Sequence, residues 1–391
     1  MSWKYDSGLP AGLNANTPPA HAPAMAAPMH TAPRYQTIAA WRGVACLSVL
    51  LFHSFGGFTS EPIWMPLEPV RQLAGNGWLG LHLFFVISGY CIFERIGVAV
   101  ARGEAAYSFW IDRSLRIFPT YWAALAFTIA LNLVTWPFNR THLAANLPSS
   151  FPSFLGDVSL TSALFGHPAF VLVSWTLTCE VFFYLLAGLL LASGGNSRHM
   201  TRAFLVGSSL CGLAIAVPAT GWTLPLALWP EFFAGACVSF SLRARSRNFS
   251  VLGLVVLLAL SAAAICSFGS YAGDSRKIAL AFAWALLALY RWDAWLDRRL
   301  AVRLLSRVGV FSFSLYLTHV QIMTRVINLG IRTTQPTSPA IVLVWIAAVV
   351  TSLAFGWLFW RLVESSSERL RGRWRARYPR KVGGPLGASA N

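Results

Sequence analysis

Ionisable side chains inside apolar segments are where chemistry is best sought, because each costs roughly 2.5–3.5 kcal/mol at the centre of a bilayer unless it has a partner or a task. Arg42 and His53 stand eleven residues apart in WRGVACLSVLLFH. That spacing is close to three helical turns, so the two side chains share nearly one face, separated by roughly 16 Å of axial rise. Glu180 in SWTLTCEVFFY and His319 in SFSLYLTH are each bracketed by apolar residues, and Glu231 is a weaker case of the same kind. Arg113 and Arg116, in WIDRSLRIFP, lie three apart on one helix face. They can present two guanidiniums to phosphate oxygens. Ordinary anchoring by positive charge at a membrane surface is the competing account of that pair.

An imidazole of near-neutral pKa beside a carboxylate is suited to taking a proton from a hydroxyl nucleophile. The same residues can relay protons in a transporter. An anchoring arginine and a histidine bonded to a neighbouring helix are the purely structural alternative. Physics alone does not choose among these.

The elements that must position these residues are membrane helices. Of the 391 residues 56% are hydrophobic and only 12% charged, too few charges to cover a soluble chain of this length. The 17 Trp and 27 Phe suit a lipid-facing protein whose rings settle at the headgroups. Ten apolar segments, at about 36–57, 77–98, 117–137, 171–192, 203–219, 223–242, 249–268, 277–291, 308–328 and 340–363, approach the length needed to cross roughly 30 Å of hydrocarbon. With both termini cytoplasmic, roughly 24 of the 31 Lys and Arg fall on the inner side, as the positive-inside rule requires. The fold class predicted is therefore all-α, a polytopic bundle of about ten transmembrane helices. In it His53, Glu180 and His319 fall at a similar depth, which points to a shared site.

Residues 1–35, rich in Ala, Pro and His, read as a disordered cytoplasmic leader. Residues 36–364 form the membrane domain, and 365–391 a basic tail, ERLRGRWRARYPRK at its heart, expected to lie on the anionic inner leaflet. The segment 138–170 is a candidate cap over a cavity. The net charge of +17 does not signal nucleic acid, because it sits between apolar segments and in the tail rather than on one basic face. The six cysteines lie in apolar runs without metal-ligand spacing, so neither a zinc site nor a disulfide framework is expected. No internal repeat of the kind many transporters carry is evident.

Five blocks in order, WRGVACLSVLLFH, GWLGLHLFFVISGY, FWIDRSLRIFPTYW, WTLTCEVFFYLL and SFSLYLTH, resemble the acyltransferase 3 family of membrane-bound O-acyltransferases. The fourth is most similar to the exopolysaccharide-acetylating branch. The resemblance implies transfer of an acyl group, most often acetyl, from cytoplasmic acyl-CoA to a sugar hydroxyl of a lipid-linked or exported glycan in the bacterial inner membrane. It implies that Arg42 and His53 are essential, with His53 catalytic, and that Arg113 and Arg116 bind the nucleotide phosphates of CoA. Two departures stand out. His82 occupies a position that is usually acidic in the family, and Glu180 is followed by Val181 where two adjacent acids are common. With no esterase-like domain fused to these helices, transfer is expected to finish within the membrane or on a separate protein.

The expected site thus comprises His53, Glu180 and His319 as catalytic residues and Arg42, Arg113 and Arg116 as donor-binding residues, with no metal. His53 acts as base or acyl acceptor, oriented by Glu180 or His319. Expected partners are the glycan acceptor, membrane lipids and other glycan-assembly proteins. A transporter or flippase of a glycan or acyl donor is the rival class, and a scaffold a third. Ser88 and Gly89 are read as allowing close helix approach, and Trp175 and Tyr184 as core or sugar-stacking aromatics.

Overall fold

The computed structural model describes residues 35–56, 67–101, 104–135, 150–192, 197–217, 220–243, 247–266, 271–333 and 339–377. The expected leader, apart from Tyr35, and the last part of the basic tail lie outside the described residues.

Among the described residues the chain is helical throughout, without strands. In chain order the helices are α1 (Ile38–His53), α2 (Glu68–Ala74), α3 (Gly80–Ala101), α4 (Ala106–Thr135), α5 (Phe151–Val158), α6 (Trp175–Ala192), α7 (Ser197–Ala216), α8 (Leu224–Ala227) and α9 (Trp229–Arg243). There follow α10 (Arg247–Ile265), α11 (Tyr271–Leu289), α12 (Asp293–Asp297), α13 (Leu300–Val310), α14 (Ser312–Thr333), α15 (Ala340–Phe359), a π-helical turn (Trp360–Glu364) and α16 (Ser365–Arg377). Each of the ten apolar segments is mainly helical over its described residues. Length and apolarity alone suffice for a membrane crossing in five helical stretches, and in a sixth if α13 and α14, which meet at 73°, form one span. The helix α1 and the apolar parts of α7 and α10 are shorter, and α11 opens with Asp274, Arg276 and Lys277. The protein is a multi-pass helical bundle.

One close crossing joins α3 to α9. A Cβ on Gly89 would come within 1.8 Å of the Phe232 carbonyl oxygen, and one on Gly235 within 1.9 Å of the Val86 oxygen. Each helix presents a gap to the backbone of the other, the close approach that small residues allow between apolar helices. The reading of Gly89 as a packing residue holds, whereas Ser88 turns toward α6.

Three local devices set the helices that carry the charged residues. Asp293 of α12 accepts hydrogen bonds from the backbone of Gln36 and Thr37 at 2.5 and 3.0 Å and from the Thr37 hydroxyl at 2.7 Å. It thereby fixes the start of α1. Pro119 lies inside α4 and has no N–H to give to the carbonyl four residues back. That carbonyl, on Leu115, instead accepts from the Ser367 hydroxyl of α16 at 2.9 Å. Glu364, in the π-helical turn, accepts from the Ser314 N–H at 3.2 Å and its hydroxyl at 2.6 Å. A carboxylate supplied by another helix thus satisfies the first turn of α14, where donors would otherwise go unmet.

The described part of the candidate cap, residues 150–170, is pinned to α4 and α6. Tyr121 and Trp122 donate to the carbonyls of Asp157 and Val158 at 2.8 and 2.9 Å, and Thr178 donates to that of Leu160 at 2.6 Å. Burial pushes the Asp157 carboxyl above its ordinary range, although Phe170 N–H and Ser162 donate to it.

Candidate active site

At one end of the bundle α1, α3, α4, α6 and α14 enclose a cavity of about 180 Å³. Its polar lining includes Arg42, Arg113, Arg116, Glu180, Ser88 and Tyr184. One oxygen of Glu180 accepts from the Ser88 hydroxyl at 2.9 Å and from Tyr184. The guanidinium of Arg113 stands 5.7 and 5.8 Å from the ring centroids of Phe109 and Tyr184, close enough for cation–π attraction. Its Nε is buried without a protein partner. Arg42 and Arg116 feel the charges of both Glu180 and Glu364. Asp112, buried beside Arg113 at 3.2 Å, is gripped through both oxygens by Arg375 of α16 at 2.6 and 2.7 Å.

His53 closes α1 and is half-buried, while His319, in α14, is fully buried. The Nδ1 of His319 faces the carbonyls of Leu315 and Tyr316 at 3.1 and 2.8 Å. Facing only acceptors, this nitrogen carries the proton, which leaves a lone pair on Nε2. That Nε2 lies 3.3 Å from Nδ1 of His53. His53 Nδ1 also meets the Val49 carbonyl at 3.0 Å, so it too must be the protonated nitrogen. The network therefore assigns neutral His53 a basic lone pair on Nε2, the nitrogen remote from its partner.

Two subsites result from the six expected residues. Arg42, Arg113, Arg116 and Glu180 line one cavity, and His53 and His319 form a dyad. The hydrogen bonds of Glu180 go to Ser88 and Tyr184, so of the two it is His319 that meets His53. Tyr316 joins the subsites. Its side chain lines the cavity, its hydroxyl meets Thr176 at 2.9 Å, and its ring centroid is 6.0 Å from that of His319. Tyr184 is buried in the arginine cluster, and its hydroxyl is committed to Glu180.

Sequence reading missed Glu364 and the Asp112–Arg375 clamp. The first half of the basic tail is a helix fastened to α4, and the signal for it is Ser367, Arg371 and Arg375 recurring every four residues. The two oddities, His82 and Glu231, turn out to be partners. His82 Nδ1 and Glu231 Oε2 are 2.6 Å apart, both buried, with Ser275 donating to the other oxygen at 3.3 Å. Arg276 lies near and donates to the carbonyls of Ala214 and Ala227 at 3.5 and 3.3 Å.

Helices that turn guanidiniums and imidazoles inward while facing apolar residues outward define a multi-pass membrane protein built around a polar interior. Residues 35–361 match the family model described as an acyltransferase domain. The chain belongs to the acyltransferase 3 family. It is similar to Nodulation protein 10 of Rhizobium leguminosarum bv. viciae, with 30% identity over 123 residues, 29% of this chain and 32% of that protein. The match thus spans about a third of the relative's length. No solved structure matches the chain.

Proposed function

We propose that the protein moves an acyl group, acetyl in the simplest case, from cytoplasmic acyl-CoA to a sugar hydroxyl of a cell-surface polysaccharide or its lipid-linked precursor. Its place is the bacterial inner membrane, beside other glycan-assembly proteins. The observation that carries this reading is the open Nε2 of His53, held in its basic tautomer by His319 and sharing a helix with Arg42 of the cation-lined cavity.

The donor enters at the arginine end, with its phosphates on Arg42, Arg113 and Arg116. Its pantetheine arm follows α1 for the roughly 16 Å that separate Arg42 from His53. Nε2 of His53 takes the proton of the sugar hydroxyl, whose oxygen attacks the thioester carbonyl. The C–S bond breaks, and the departing thiolate takes the proton back from His53. His319 accepts the Nδ1–H throughout and stabilises the transient imidazolium, the part a third group plays in other triads. Glu180 and Glu364 hold the guanidiniums in place.

The deciding experiment uses inside-out vesicles and acetyl-labelled acetyl-CoA. Label should pass to a glycan-linked product with the unaltered protein and not with His53→Ala. Equal transfer by both removes His53 from the mechanism. A flippase would move glycan without consuming acyl-CoA, so glycan translocation without label transfer would favour that class instead.

A further inference from the structure

We propose that α16 is part of the donor site and that Arg371 binds the ribose 3′-phosphate of acyl-CoA. The inference rests on the acyl-CoA reading above and adds a second helix to it. Ser367, Arg371 and Arg375 repeat every four residues and so share one face of α16. The outer two are anchors, Ser367 on the carbonyl freed by Pro119 and Arg375 on Asp112. Arg371 lies between them with its side chain only 15% exposed, and its Nε is 3.9 Å from Asp112, beyond hydrogen-bonding reach. Both Asp112 oxygens are already taken by Arg375, and one also by Arg113. Arg371 is therefore held against the charges of Arg113 and Arg116 without a carboxylate of its own.

The charge balance of the cluster asks for an anion. Leaving aside the exposed Arg375 and Glu368, four guanidiniums (Arg42, Arg113, Arg116, Arg371) gather around three carboxylates, Asp112, Glu180 and Glu364. Desolvated charge of one sign in excess is costly unless a counter-charge arrives, and the unpartnered Nε of Arg113 is a donor waiting for one. Position decides which phosphate goes where. Asp112 precedes Arg116 by four residues on α4, about 6 Å nearer the start of that helix. Arg371, at the level of Asp112, is thus set one turn beyond Arg116. In acyl-CoA the diphosphate is nearer the thioester and the 3′-phosphate farther. Arg42 and Arg116 therefore meet the diphosphate, and Arg371 the 3′-phosphate.

The test compares binding of coenzyme A and 3′-dephospho-coenzyme A to the purified full chain, unaltered and as Arg371→Gln, with thermal stability measured alongside. Loss of one charge-assisted contact should weaken coenzyme A roughly tenfold or more and leave the dephospho form unchanged, at equal stability. Arg371→Lys should recover part of the loss. Equal weakening for both ligands means that Arg371 only docks the helix, which overturns the inference. So does unchanged affinity for both, or loss of bound phosphatidylglycerol at unchanged coenzyme A affinity, which would assign the cation to a lipid headgroup. If the unaltered protein binds no coenzyme A, the donor reading itself falls and the inference with it. If it binds and the variant binds equally, only the inference falls.

Discussion

His53 and His82 both sit in apolar helices, yet their surroundings do opposite things. His53 is paired with another imidazole, His319, and keeps a lone pair on its outer nitrogen. His82 is paired with a carboxylate, Glu231, 2.6 Å away and equally buried. That contact commits Nδ1 of His82 to the carboxylate, and its other ring nitrogen is sealed inside the bundle. The second imidazole meets Nδ1 of His53 and leaves Nε2 open at a half-buried position. One pair leaves a ring nitrogen open, and the other is closed within the bundle. Burial of a histidine is therefore no guide to chemistry, whereas the identity of its partner is.

Several substitutions test that contrast. The largest effect should follow His53→Ala, which removes the base and should lower acyl transfer by about 10²–10⁴-fold while donor binding persists; near-normal transfer would assign the chemistry elsewhere. Next, His82→Leu or Glu231→Leu alone should destabilise the fold by about 3 kcal/mol, the lower part of the range for breaking a buried pair, because Arg276 stays near Glu231. The double leucine variant should recover most of it, and all three should keep their transfer rate per folded molecule. Denaturation in detergent alongside label transfer would show this, and a catalytic loss at full stability would contradict the closed role. His319→Ala should reduce kcat less than His53→Ala, with donor KM unaltered. A raised donor KM would instead place His319 in donor binding. Arg113→Gln and Arg116→Gln should do the reverse, raising donor KM more than they lower the rate at saturation. At the small end, Lys277→Ala removes a partly exposed pair with Asp274 and should change stability by no more than about 0.5 kcal/mol.

Much of this arrangement is legible in the chain because it is local. The eleven-residue interval from Arg42 to His53, the Arg113–Arg116 pair and the ten apolar runs depend only on helical period and segment length. Contacts between distant segments are not legible in that way. Glu180 is the instructive case. Its depth allowed it to be grouped with His53 and His319, but depth does not specify rotation about the helix axis. The turn of α6 that directs Glu180 to Ser88 and Arg116 comes from packing against α3 and α4. His82 and Glu231 are 149 residues apart, and each looked anomalous only because its partner was out of sight. Asp112, between apolar Ile111 and Arg113, carries no local mark of the α16 helix that covers it.

The π-helical turn at Trp360–Glu364 has a consequence for how this chain tolerates change. Each residue of a helix advances the next by about 100°, and a wider turn resets that phase. Before it, the rod shows lipid an apolar surface. After it, the rod shows α4 a row made of Ser367, Arg371 and Arg375. The turn works as a spatial frameshift between two messages written on one continuous rod. Adding or removing a single residue between that turn and Ser367 would rotate the whole cationic row about 100° off its target, although no contact residue had been replaced. Between Phe359 and Ser367, Glu364 apart, the number of residues should matter more than their kind.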